Sequence, residues 1–209
     1  VFRDRRDAGE RLGEALRDRV DPPAIVLGIA RGGVVVAAPV AEALGAPLDV
    51  VVPRKLGAPH NPELGIGAIA PGVVVLDEDL VRRLGVDEAY VRAETARQQR
   101  EIERRLAAYR GDRPPPELAG KTAVIVDDGV ATGGTAIAAS RWARREGAER
   151  VVIAAPVGPA GIERRLAPEA DDVVVLFTPR TFLAVGEWYE RFEQTGDDEV
   201  RALLATETA

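Results

Sequence analysis

Five short apolar runs, each bounded by glycine, proline or charged residues, constrain this chain more than any other feature. They are AIVLGIA (24–30), PLDVVVPRK (47–55), TAVIVD (122–127), VVIAAP (151–156) and DVVVLF (172–177). None alternates apolar with polar residues, so each reads as a strand buried on both faces. Helical segments separate them: 32–45 despite its internal Pro39, 134–146 closing at Gly147, and 159–167. Strand and helix in alternation predict an α/β fold, a doubly wound and mainly parallel sheet with helices on both faces. A helix over 4–19, with Ala8, Leu12, Ala15 and Leu16 on one face, precedes the first strand and is stopped by DPP at 21–23.

The alternation breaks once. Residues 54–72 end in the stretch LGAPHNPELGIGAIAPG, rich in Gly and Pro and without helical period, and read as a flexible loop. It leads into a short inserted strand pair completed by VVVLDE and then a long polar helix at 87–109, an insertion over about 73–110. RGDRPPPELAGK (110–121) is the clearest linker, and 178–209 forms a C-terminal segment. One domain over 1–209 is the expectation for 209 residues.

Composition narrows the chemistry. A net charge of -6 argues against general affinity for nucleic acid, so an anion must be held by local groups. With no cysteine and one histidine, His60, neither thiolate catalysis nor a histidine cluster is available. His60 lies between prolines and reads as a surface or loop-ordering residue. The opening residues are charged and helical, neither a secretory apolar stretch nor a membrane span, and a cytoplasmic location is expected. No Walker A loop and no Gly-x-Ser-x-Gly elbow occurs.

Ligands of such sheets bind beyond the carboxyl ends of the strands. Three loops lie there. In VIVDDGVATGGT, Gly133 and Gly134 allow a tight turn whose N–H groups face inward, and the next helix adds its positive end. Thr132 and Thr135 add hydroxyls, which completes a cup for a phosphate; the plain alternative is an ordinary strand-to-helix turn capped by Asp. Asp127 and Asp128 would repel that phosphate, so they accept from vicinal ribose hydroxyls or face a metal carried by the ligand. GIARGG (28–33) nearly matches a dinucleotide fingerprint, yet the second strand ends in Pro53, Arg54 and Lys55 where an acid belongs. Arg31 and the amides of Gly32 and Gly33 suit a pyrophosphate better; the plain alternative is a tight turn with a solvated arginine. Arg54 and Lys55 could neutralise a diphosphate leaving group, or be a solvated basic pair. Lys55 and Lys121 are the two lysines in an arginine-rich chain.

VIVDDGVATGGT, with ARGG and PRK upstream, resembles the type I phosphoribosyltransferases. The resemblance implies binding of 5-phosphoribosyl 1-diphosphate (PRPP), with magnesium arriving on it. It places the ribose hydroxyls on Asp127 and Asp128 and the 5′-phosphate on Ala131, Thr132, Gly133, Gly134 and Thr135. The pyrophosphate falls to Ala30, Arg31, Gly32 and Gly33, with a cis peptide at Ala30–Arg31. Arg54, Lys55 and Asp128 become the catalytic candidates, and the loop after PRK becomes a catalytic lid. The implied reaction transfers the phosphoribosyl group to a nitrogenous base and releases pyrophosphate.

Ala131 stands where relatives acting on 6-oxopurines usually carry aspartate, so the base stays open. The C-terminal segment would form the family's variable hood, with Phe182, Trp188 and Tyr189 as base-stacking candidates or as core. A homodimer is a further analogy. A PRPP-sensing regulator and a PRPP hydrolase are the competing readings.

Overall fold

A computed structural model describes residues 1–206. Helix α1 (Arg5–Leu16) is capped by Asp4, whose carboxylate accepts the Asp7 N–H at 2.9 Å. Strand β1 (Ala24–Ile29), helix α2 (Gly32–Leu44) and strand β2 (Leu48–Val51) then form a parallel βαβ unit. The chain leaves this sheet for β3 (Arg54–Ala58), β4 (Asn61–Ala70) and β5 (Val73–Leu76), a small antiparallel sheet, followed by α3 (Glu78–Leu84) and α4 (Glu88–Arg110). It returns through β6 (Thr122–Val126), α5 (Gly134–Arg145), β7 (Arg150–Val157), α6 (Ile162–Leu166) and β8 (Asp172–Phe177). After a 3-10 turn at Val185–Trp188 it ends in α7 (Asp197–Ala205).

The five-stranded sheet has the order β2-β1-β6-β7-β8 with every pair parallel, as the apolar runs predict. Side-chain alternation divides its residues between two layers. Val26, Val50, Val124, Val126 and Val152 pack with α1, α2 and α7, whereas Ile25, Leu27, Ile125 and Ile153 pack with α5 and α6. Because both faces are covered, the strands carry no polar alternation. Each fully buried aliphatic side chain contributes about 1.5–3 kcal/mol.

The region expected as a flexible loop at 54–72 is a hairpin. Pro53 supplies no N–H to continue β2 in the parallel ladder, and the chain turns into β3 of a second sheet. The glycines that suggested mobility instead permit close backbone approach: a β-carbon on Gly57 would lie 2.6 Å from the Pro62 carbonyl oxygen. Register shifts at Leu56/Gly57 and Gly57/Ala58 use the same freedom. His60 occupies the hairpin turn with a φ of 65°.

Helix α3 was not expected between the inserted strands and α4. The insertion is anchored to the main sheet by Arg110, whose Nε meets Asp49 Oδ1 at 3.1 Å while its Nη2 donates to the Val50 carbonyl at 3.0 Å. The expected C-terminal segment 178–209 extends beyond the described residues at its last three positions.

Candidate functional site

Among the described residues four helices begin without a side-chain cap, α2, α5, α6 and α7, and the first three follow sheet strands. Helix α5 starts at Gly133, whose φ of 86° turns the chain so that the next amides lead the helix. Helix α2 starts after Arg31, and the Ala30–Arg31 peptide is cis. By contrast, α1, α3 and α4 are capped by Asp4, Asp77 and Asp87. Among the described residues the first amides of α2 and α5 therefore have no side-chain cap, an arrangement suited to anionic oxygens. Ala131 and Thr132 are exposed at the rim of the second loop, and Gly133 is buried against Leu166.

The two loops meet at the acidic pair. A β-carbon on Gly33 would lie 3.0 Å from the Asp127 Cα and 2.7 Å from the Val126 carbonyl, so only glycine lets α2 approach β6 this closely. Asp127 Oδ1 accepts the Asp128 N–H at 2.9 Å. Burial, followed by the neighbouring Asp128 carboxylate, pushes the Asp127 carboxyl well above the ordinary aspartate range. Asp128 Oδ2 lies between Gly32 and Arg5, with Arg5 Nε 2.8 Å away. Thus Asp127, Asp128, Gly32 and Gly33 are brought together, as the sequence suggests.

Arg5 is the residue that reading the loops alone misses. Its Nη1 donates to the Glu193 carbonyl at 2.7 Å, and its guanidinium carbon lies 3.8 Å from the centroid of Phe192. A signal was present, since Arg5 precedes Ala8 by three residues and Leu12 by seven, on the buried stripe of α1. A charged residue on such a stripe needs a partner.

Arg31 extends from the other loop, its Nη1 3.7 Å from Asp197 Oδ1, which also accepts the Tyr109 hydroxyl at 2.9 Å. Arg54 and Lys55 separate. Arg54 Nε donates to Gln98 Oε1 at 2.9 Å on the α4 side, and burial pulls its guanidinium below the ordinary range. Lys55 is half exposed and its Nζ donates to the Glu63 carbonyl at 2.9 Å. Among the described residues, no hydrogen bond or ion pair joins either one to residues 127–135.

The aromatic candidates join one cluster. Phe182 and Trp188 pack against Phe2, Ala8, Val157 and Tyr189. Tyr189 is buried, its ring 5.6 Å from that of Phe2, and its hydroxyl donates to the Asp128 carbonyl. Burial pushes its phenol far above the ordinary range. Trp188 stands edge-on to Phe177, and its buried indole N–H has no hydrogen-bond partner among the described residues.

Among the described residues no group of three or more carboxylate or imidazole side chains gathers around a possible metal position. Asp127 and Asp128 are two hard oxygen donors, a set that fits an ion whose remaining ligands come from a diphosphate. No helix of the described residues is long and apolar enough to cross a membrane.

Comparison with known proteins identifies the family. The family model described as phosphoribosyl transferase domain matches residues 8–199. The Mycobacterium tuberculosis protein named "Putative phosphoribosyl transferase Rv0571c" is 50% identical over 205 residues, which is 98% of this chain and 46% of that protein. Its counterpart MT0597 from another strain of that organism matches to the same extent. The chain thus spans about half the length of these curated relatives. The crystal structure of TT1426 from Thermus thermophilus is 44% identical, covers 98% of both chains and superposes with a TM-score of 0.83. The chain belongs to the phosphoribosyl transferase domain family.

Proposed function

We propose that the chain binds Mg²⁺·PRPP and transfers its phosphoribosyl group to a nitrogenous base, releasing pyrophosphate. The observation that carries this reading is the approach of the α2 start to the acidic pair, Gly32 against Asp128 and Gly33 against Asp127, on the loop that leads into the uncapped start of α5. One anion cup serves the 5′-phosphate, through Ala131, Thr132, Gly133, Gly134 and Thr135. The other serves the pyrophosphate, through Ala30, Arg31, Gly32 and Gly33. The acidic pair between them receives the ribose hydroxyls, and the magnesium ion belongs to the substrate.

In this reaction the bond from C1 of the ribose to the diphosphate oxygen breaks, and a bond from C1 to a ring nitrogen forms. Charge accumulates on the departing diphosphate. In this reading Arg31, released from Asp197, and the α2 amides stabilise that charge. Holding the two reactants in line supplies much of the remaining rate, and no covalent nucleophile on the protein is required.

Pyrophosphate release from Mg²⁺·PRPP, measured across purine, pyrimidine and related bases with a base-free control, tests the proposal. Release that requires one base supports transfer and identifies the acceptor. Release without any base indicates a hydrolase, and binding without release a sensor.

A further inference from the structure

We infer that Arg5 is a positioning residue that couples the Asp128 carboxylate to a C-terminal strap over residues 189–195, so that occupancy of the site is felt in the strap. The inference rests on the reading of Asp128 as a ribose ligand. Its physical basis is that one guanidinium makes three unlike contacts at once. Nε is 2.8 Å from Asp128 Oδ2, Nη1 is 2.7 Å from the Glu193 carbonyl, and the guanidinium plane covers Phe192 at 3.8 Å. The Arg5 and Asp128 side chains are only 12% and 17% exposed, so the pair is poorly screened by solvent.

The strap is also held beside Arg5: the Tyr189 ring lies 5.0 Å from that of Phe192, and Arg191 pairs with Asp4 at 2.5 Å. The Tyr189 hydroxyl donates to the Asp128 carbonyl, and the backbone N–H groups of Glu190 and Arg191 donate to the carbonyls of Phe2 and Arg3 at 2.8 and 3.0 Å. An open cavity of about 400 Å³ is lined by strap residues 192–195 together with Arg5, Arg31 and Gly32. A ligand reaching Asp128 meets an oxygen already enclosed by Gly32 and Arg5. Any change in that carboxylate's charge or angle is transmitted through Arg5 to Glu193 and Phe192. By linkage, if strap closure tightens ligand binding, the ligand tightens the strap by the same factor.

Hydrogen exchange at the amides of 189–195, read with and without Mg²⁺·PRPP beside calorimetric binding, tests the coupling. In the wild type the ligand should slow exchange there by about fivefold or more, within the usual range of site-to-site coupling. Arg5→Ala should exchange fast at the outset and lose the response to ligand. Arg5→Lys keeps a cation at Asp128 but has no guanidinium plane for Phe192 and no second nitrogen for Glu193. It should therefore fold and bind PRPP while its strap stays unresponsive, which separates coupling from loss of charge or of structure.

A strap that responds to ligand equally in wild type and both variants overturns the inference while leaving the site reading intact. So does a wild type that binds PRPP with no change in strap exchange. A wild type that binds no PRPP overturns the site reading and the inference with it.

Discussion

Lys55 pairs with Ala68 across the β3–β4 ladder, and Ala68 lies against the start of α5, 3.7 Å from where a β-carbon on Gly134 would sit. Residues directly opposite in an antiparallel ladder share a face, so Lys55 belongs to the face of the small sheet that borders the α5 cup. Arg54, paired with Ile69, belongs to the opposite face and to α4. Two adjacent basic residues thus have different partners and should behave differently when replaced.

Lys55→Ala should change stability by less than about 0.5 kcal/mol, because its contacts are exposed. It should lower turnover more than PRPP affinity if its charge acts mainly on the departing diphosphate. Arg54→Ala should instead lower stability by about 1–3 kcal/mol by leaving Gln98 without its donor. Steady-state kinetics together with thermal melts of both variants check the contrast; equal stability losses would contradict it.

Asp127→Asn should raise the melting temperature at neutral pH while weakening PRPP binding. The folded-state pKa of Asp127 is raised, so its contribution to stability is fully present below the unfolded value, about 3.9, and is lost as pH rises through the folded value. Asparagine removes that neutral-pH loss and can still accept the Asp128 N–H. The expected gain, about 2–4 °C for each kcal/mol in a chain of this size, should shrink toward zero in melts below about pH 4. A pH-independent difference would contradict the burial argument.

Asp128→Asn should weaken PRPP binding by roughly 10- to 100-fold, the equivalent of a charge-assisted hydrogen bond. The fold should persist with some loss of stability from the weakened Arg5 pair, because the amide oxygen can still accept from Arg5 Nε and the Tyr189 hydroxyl bonds the backbone carbonyl of Asp128. Calorimetry with far-ultraviolet circular dichroism reads both, and unchanged affinity would remove the ribose assignment.

Gly133→Ala should cost about 1–2 kcal/mol because alanine resists the left-handed backbone at a φ of 86°. The added carbon would also approach Leu166 Cδ2 at 2.9 Å. Since the same turn aims the α5 amides, PRPP affinity should fall as well. Chemical denaturation and calorimetry on one preparation check the two effects together.

The parallel sheet and its two glycine loops are legible in the sequence because both-face burial leaves unbroken apolar runs, and two of those runs, β1 and β6, lead straight into the loops. The small sheet is not, because Gly57, Gly65 and Gly67 carry the same signal in a mobile loop as in strands that need close approach. Helix α3 offers seven residues, none buried, and so no stripe to read. The Arg5–Asp128 pair spans 123 positions, and no local pattern links its ends, although the place of Arg5 on the α1 stripe indicates that it is buried. The use of Asp49 as the anchor for Arg110 depends on where the insertion packs, which no local pattern around the second strand signals.

A crystal structure of the protein with Mg²⁺·PRPP tests the central claim most directly. The account predicts the 5′-phosphate within hydrogen-bonding distance of the amides and hydroxyls of residues 132–135, the ribose hydroxyls on Asp127 and Asp128, and the diphosphate over Arg31 and Gly32. A phosphate lodged away from the α5 start, or a ribose that leaves both aspartates untouched, would contradict it.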